Sequence, residues 1–92
     1  MRYALRTDKN QSEIISALEA AGALVEVIGK PVDLLVGIRS RFAFFECKDG
    51  AKPLSRRKKT ALQDRFFAMY DGYPVFVVTG PEDAIKKLRC IA

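Results

Sequence analysis

The chain has no histidine and no tryptophan, and only two cysteines among its 92 residues. Without histidine, Ser-His-Asp triads, Cys-His dyads and His-based zinc sites are excluded, so carboxylates and lysines must carry any catalysis. Cys47 and Cys90 are too few for a secreted disulfide scaffold or a four-ligand zinc site. They read as small buried hydrophobes in a reducing compartment. The opening MRYALRTDKNQ lacks the apolar core of a signal peptide, and no apolar run reaches the roughly 18 residues a membrane span requires. The expectation is a soluble cytoplasmic protein with no membrane partner.

What is present fits one domain over residues 1–92, since 49% of the chain is hydrophobic and 29% charged. No internal repeat, low-complexity tract or linker divides it. A core this small leaves little net stability, which favours self-association. Lys and Arg number 16 against 11 Asp and Glu, a net charge of +5 that favours an anionic partner.

Periodicity orders the chain. Ile14, Ile15, Leu18 and Ala21 recur at helical spacing over 8–21, with Thr7 a candidate N-cap and Gly22 the stop. Three β-rich runs follow at 24–28, 32–38 and 42–48, and their short connections imply an antiparallel meander. The segment 49–59 is a polar, basic loop. Thr60 can cap a second helix running to about Asp71, with Leu62, Phe66, Met69 and Tyr70 on one stripe; Phe66, Phe67, Met69 and Tyr70 read as packing in the core or at a dimer interface rather than as base-stacking platforms. Val75 to Val78 reads as a strand inside the sheet, and Pro81 opens a last helix docked by Ile85 and Leu88. The order α-β-β-β-α-β-α gives an α/β fold with a mixed sheet, its third and fourth strands parallel through a right-handed crossover.

One strand face carries the chemistry. Alternation places Phe42, Phe44, Glu46 and Lys48 together on the third strand, so two charges follow two aromatics. A tight hairpin turning at Arg39-Ser40 sets Asp33 opposite Glu46, where two carboxylates repel unless they share a cation. Oxygen ligands suit Mg²⁺ or Mn²⁺, and the backbone carbonyl of Cys47 is a candidate third ligand. A hard ion there activates water and offsets transition-state charge, with Lys48 beside it, which is the chemistry of phosphodiester hydrolysis. Glu13 on the first helix is a candidate to reach the metal, and Gln63 on the second to orient Lys48 or a water. From spacing alone the same trio also fits a solvated strand face with an ordinary Glu-Lys pair, and Glu13 an exposed helix surface.

The substrate side lies next in the chain. Between Lys48 and Arg65 stand seven basic residues against Asp49 and Asp64. Lys52, Arg56, Arg57, Lys58 and Lys59 are the candidate DNA contacts, reading phosphate rather than base identity.

Asp33 followed by Glu46-Cys47-Lys48 in an αβββαβ order resembles the PD-(D/E)XK nuclease superfamily, and within it the VRR-NUC branch. The stretches TDKNQSEIISALEAAGALV, VDLLVG, ECKDGAKPLSRRK, TALQ and PVFVVTGPEDAI resemble the small stand-alone members of phages and prophages, over nearly the whole chain. The resemblance implies a restriction-endonuclease-like αβββαβ(α) core with a four-stranded sheet flanked by helices. It implies Mg²⁺ or Mn²⁺ on Asp33 and Glu46, Lys48 as the catalytic lysine, and roles for Glu13 and Gln63 by position. It further implies a homodimer that cuts branched DNA such as Holliday junctions, in a bacterial or phage-infected cytoplasm. One departure is that Val32 precedes Asp33, with the proline one place earlier at Pro31. A non-catalytic nucleic-acid binding module on the same fold and an RNA-processing nuclease are the alternatives.

Overall fold

The computed structural model describes residues 9–49 and 60–92. Its elements are α1 (Lys9–Ala20), β1 (Leu24–Val27), β2 (Leu34–Ile38), β3 (Arg41–Cys47), α2 (Ala61–Met69), β4 (Val75–Val78) and α3 (Pro81–Ile91). All seven fall where periodicity places them, because each apolar stripe is closed by a residue the element cannot continue through. Gly22 and Gly72 take the left-handed backbone that ends α1 and the turn after α2, with φ of 96° and 90°. Thr7 and Asp8 lie outside the described residues, as does the basic stretch 50–59.

The strands form one mixed sheet in the order β1-β2-β3-β4, antiparallel through β3 and parallel between β3 and β4. This confirms the α/β class and the meander, and corrects one expectation. β4 is an edge strand of the described sheet, and only Val78 of its four residues is buried. A short apolar run arises equally in an inner strand and in an edge strand shielded by helices on its faces, so length and composition do not separate the two.

Alternation sends one sheet face into the core. Leu34, Val36, Ala43, Phe45 and Val78 are fully buried there, against Ile14 and Leu18 of α1 and Ala84 and Leu88 of α3. Phe45 anchors the layer edge-to-face on Phe76, centroids 5.7 Å apart. α3 is tied at both ends: Asp83 accepts from the Thr79 backbone N–H at 3.0 Å, and Arg41 Nη1 donates to the Ile91 carbonyl at 3.2 Å. Cys47 is half-buried, but Cys90 is exposed on α3 rather than buried, because the core stripe of that helix runs through Ala84, Leu88 and Ile91.

The opposite face is covered thinly. α2 lies over its β3 end, where Phe66 meets Phe44 edge-to-face at 5.5 Å. No residue of α2 is buried, so its aromatic stripe is not the core packing that its amphipathic pattern implies. At the β1 end of the sheet Leu24 and Phe42 stand 79% and 65% exposed.

The β2-β3 turn is strained. Arg39 and Ser40 adopt φ of 51° and 66°, the left-handed pair that suits Asn-Gly and costs other residues roughly 1 kcal/mol or more each. Replacing Arg39-Ser40 by Asn-Gly should therefore raise the thermal midpoint by about 4–8 °C for each kcal/mol relieved. A melt followed by circular dichroism checks this, and an unchanged or lowered midpoint would count against strain at the turn.

Candidate active site

The hairpin register delivers the first carboxylate to the second. Leu34 pairs with Phe45 and Ile38 with Arg41, so Asp33, one residue before β2, faces Glu46 on the side away from the core. Asp33 Oδ2 accepts the Cys47 backbone N–H at 2.8 Å, which holds the aspartate against the end of β3.

Glu46 is buried, with only 3% of its surface exposed. Its Oε2 accepts from Gln63 Nε2 at 2.8 Å and lies 3.1 Å from Lys48 Nζ. Its Oε1 is buried and accepts no hydrogen bond among the described residues. Burial pushes its carboxyl above the usual range, the charge of Asp33 pushes further the same way, and Lys48 only partly offsets them. A buried glutamate oxygen without a donor, set beside a second carboxylate, is relieved either by a proton shared between the two or by a cation drawn to both.

Lys48 and Gln63 complete the constellation. Lys48 donates to Gln63 Oε1 at 3.4 Å and keeps 16% of its side-chain surface exposed, so it stands at the mouth rather than inside. Gln63 occupies the third position of α2 and forms a capping box with Thr60: its Oε1 accepts the Thr60 N–H and Thr60 Oγ1 accepts the Gln63 N–H, both at 3.2 Å. One side chain thus fixes the start of α2 and grips both Glu46 and Lys48.

Glu13 is exposed on α1, and no cluster of three or more His, Cys, Asp and Glu that could hold a metal forms among the described residues. The carboxylate set is therefore the pair Asp33 and Glu46. The α1 residue that reaches the end of β3 is Asn10, whose Nδ2 donates to the carbonyls of Lys48 at 3.2 Å and Thr79 at 3.4 Å. It clasps the ends of the parallel strands together. Lys52, Arg56, Arg57, Lys58 and Lys59 lie outside the described residues.

Two carboxylates and an orphaned oxygen fit a hard divalent ion, which is commonly held by one or two protein carboxylates with waters and phosphate filling the remaining positions. No family model, curated protein or solved structure matches this chain. Among the described residues no helix is long and apolar enough to cross a membrane.

The orphaned oxygen gives a direct test. In Glu46→Gln the amide oxygen can accept from Gln63 and Lys48 as Oε2 does, while the amide N–H₂ supplies Asp33 with a donor and the repulsion is gone. In EDTA near pH 7 the variant should match or exceed the parent in stability, by about 1 kcal/mol. A raised carboxyl pKa means that ionisation of Glu46 costs stability as pH rises through it, so the advantage should shrink in acid. Paired melts at several pH values measure this; a variant clearly less stable at pH 7 would make the Glu46-Lys48 pair structural.

Proposed function

We propose that the chain is a divalent-metal-dependent, structure-specific DNA endonuclease of the VRR-NUC type, with a restriction-endonuclease-like core. The observation that carries the reading is the buried Glu46, set against Asp33 with one oxygen unpaired and Lys48 beside it. The order of elements, antiparallel through β3 and parallel from β3 to β4, supports the fold assignment.

Asp33 and Glu46 would hold Mg²⁺ or Mn²⁺, with the Cys47 carbonyl as a candidate third ligand. The ion, when bound, supplies the positive charge that activates water and stabilises a pentavalent phosphate. Lys48 adds a cation held at the mouth of the site by Glu46 and Gln63, from which it would meet the attacked phosphate. Gln63 keeps Lys48 and Glu46 in fixed relation, and because it also caps α2 it cannot swing away without loosening the helix. Asn10 anchors the main chain beneath Lys48.

The branched-DNA part of the reading rests on a homodimer, since two symmetric cuts need two symmetric sites. The apolar end of the sheet at Leu24 and Phe42 offers a surface for the second copy. The basic segment that joins β3 to α2 starts beside the carboxylates and supplies charge for phosphate contacts.

Labelled four-way junction, duplex and single-stranded DNA incubated with Mg²⁺, Mn²⁺ or EDTA test the proposal. The junction should be cut only with metal, and Lys48→Ala should slow cutting by about 10²–10³-fold. Glu46→Ala should lose both cutting and Mn²⁺ binding. Tight DNA binding with no cutting of any substrate would turn the reading to a binding module, and cutting of RNA alone to an RNA-processing nuclease.

A further inference from the structure

The apolar stripe of α2 is not spent on packing. Leu62, Met69 and Tyr70 are 45%, 55% and 39% exposed. With Phe66 they form one wall of a groove of about 450 Å³, and Pro31 stands on the other. Two cations line it, Lys30 and Arg65, and no acidic side chain does. Neither cation enters a salt bridge among the described residues.

The groove adjoins the carboxylate site through both of its walls. Pro31 precedes Asp33 by two residues, and Leu62 immediately precedes Gln63 on α2. Phe66, one turn beyond Gln63, rests on Phe44, which shares a strand face with Glu46. A nucleic-acid strand engaged at the carboxylates would thus lie against the helix that also walls the groove.

We infer that this groove receives an unpaired nucleobase of the DNA strand whose phosphate lies at the carboxylate site. The inference rests on the nuclease reading and names what that site recognises. A nucleobase presents a flat apolar face and carries an anionic backbone, which matches an aromatic and thioether wall flanked by Lys30 and Arg65. The volume lies within the range of small-ligand sites. Charge argues the same way: a second copy packed here about a two-fold axis would set Lys30 and Arg65 against their own counterparts, with no acidic lining residue to offset them. A paired base must be unstacked before it can enter, so the groove favours DNA in which a base is free or is easily unpaired, as at a branch point.

The test uses the whole chain in EDTA, so that binding is read without cutting, and a short duplex carrying 2-aminopurine as a single unpaired base. Binding should quench the 2-aminopurine, and this DNA should bind about tenfold more tightly than the matched duplex. Tyr70→Phe should keep the quench and the preference, whereas Tyr70→Ala should lose both while still binding duplex. Because Tyr70→Ala could loosen α2, Met69→Glu at a more exposed position gives a second reading, with folding checked by circular dichroism. Equal affinity of the parent for both DNAs, or a preference unchanged in folded Met69→Glu, would overturn the inference. A shift from dimer to monomer in Met69→Glu, seen by sedimentation, would assign the groove to a second copy and overturn it too. The four-way junction is then given Mn²⁺: junction cutting without quench of the 2-aminopurine DNA removes the groove alone, and quench with no cutting of the junction removes the nuclease reading and leaves the groove a base-binding site of a non-cleaving module.

Discussion

The register of the β2-β3 hairpin is the constraint on which the site depends. A slip of one residue would move every side chain of a strand to the other face, carrying Glu46 away from Asp33 and into the layer occupied by Phe45. Two features prevent this. The turn at Arg39-Ser40 leaves two residues between Ile38 and Arg41, and the pairs Leu34 with Phe45 and Val36 with Ala43 bury their side chains completely. The apolar pairs hold the carboxylates together from the opposite side of the same strands. The repulsion between Asp33 and Glu46 thus works against a core that has no second way to pack.

Stability and chemistry are divided between the two sheet faces. One face, with α1 and α3, holds nearly all of the fully buried apolar side chains. The other buries a glutamate with an unsatisfied oxygen, an arrangement that a fold selected only for stability would replace with an apolar residue or an amide. The site is affordable because it is small and because its polar atoms are mostly matched. Asp33 is held by the Cys47 N–H, Glu46 Oε2 by Gln63 and Lys48, and the Lys48 carbonyl by Asn10. The mismatch left among the described residues is Glu46 Oε1, which on the nuclease reading a cation would complement.

The elements were legible in the sequence because each is written in local patterns: a 3.6-residue stripe, an alternating run, a glycine with left-handed backbone. The meeting of Asp33 with Glu46 was legible too, since a two-residue turn converts counting along the chain into position across the sheet. Asn10 was not, because its partners are the main-chain carbonyls of Lys48 and Thr79, 38 and 69 positions away, and any residue can supply a carbonyl. The edge position of β4 was hidden because side chains on a strand's faces record what packs above and below it, and an apolar run carries no mark of whether another strand lies beside it. Exposure of the α2 stripe was hidden for a related reason. Amphipathicity records that a face is apolar, and it does not record what covers that face.

That last gap bears on how the site works. α2 is held to the sheet through the Phe66 ring on Phe44 and the bonds of Gln63 to Glu46 and Lys48, not through buried apolar side chains of its own. A helix so lightly docked responds to whatever binds along it, because a few contacts from outside are comparable to those holding it. Gln63 places that response at the carboxylates: its amide links the cap of α2 to Glu46 and Lys48, so a displacement of the helix N-terminus is also a displacement of Lys48. Substrate laid against α2 would stiffen the helix and the site together. A more deeply packed helix would hold Lys48 as firmly with or without a ligand, and the geometry of the site would then carry no information about what had been bound.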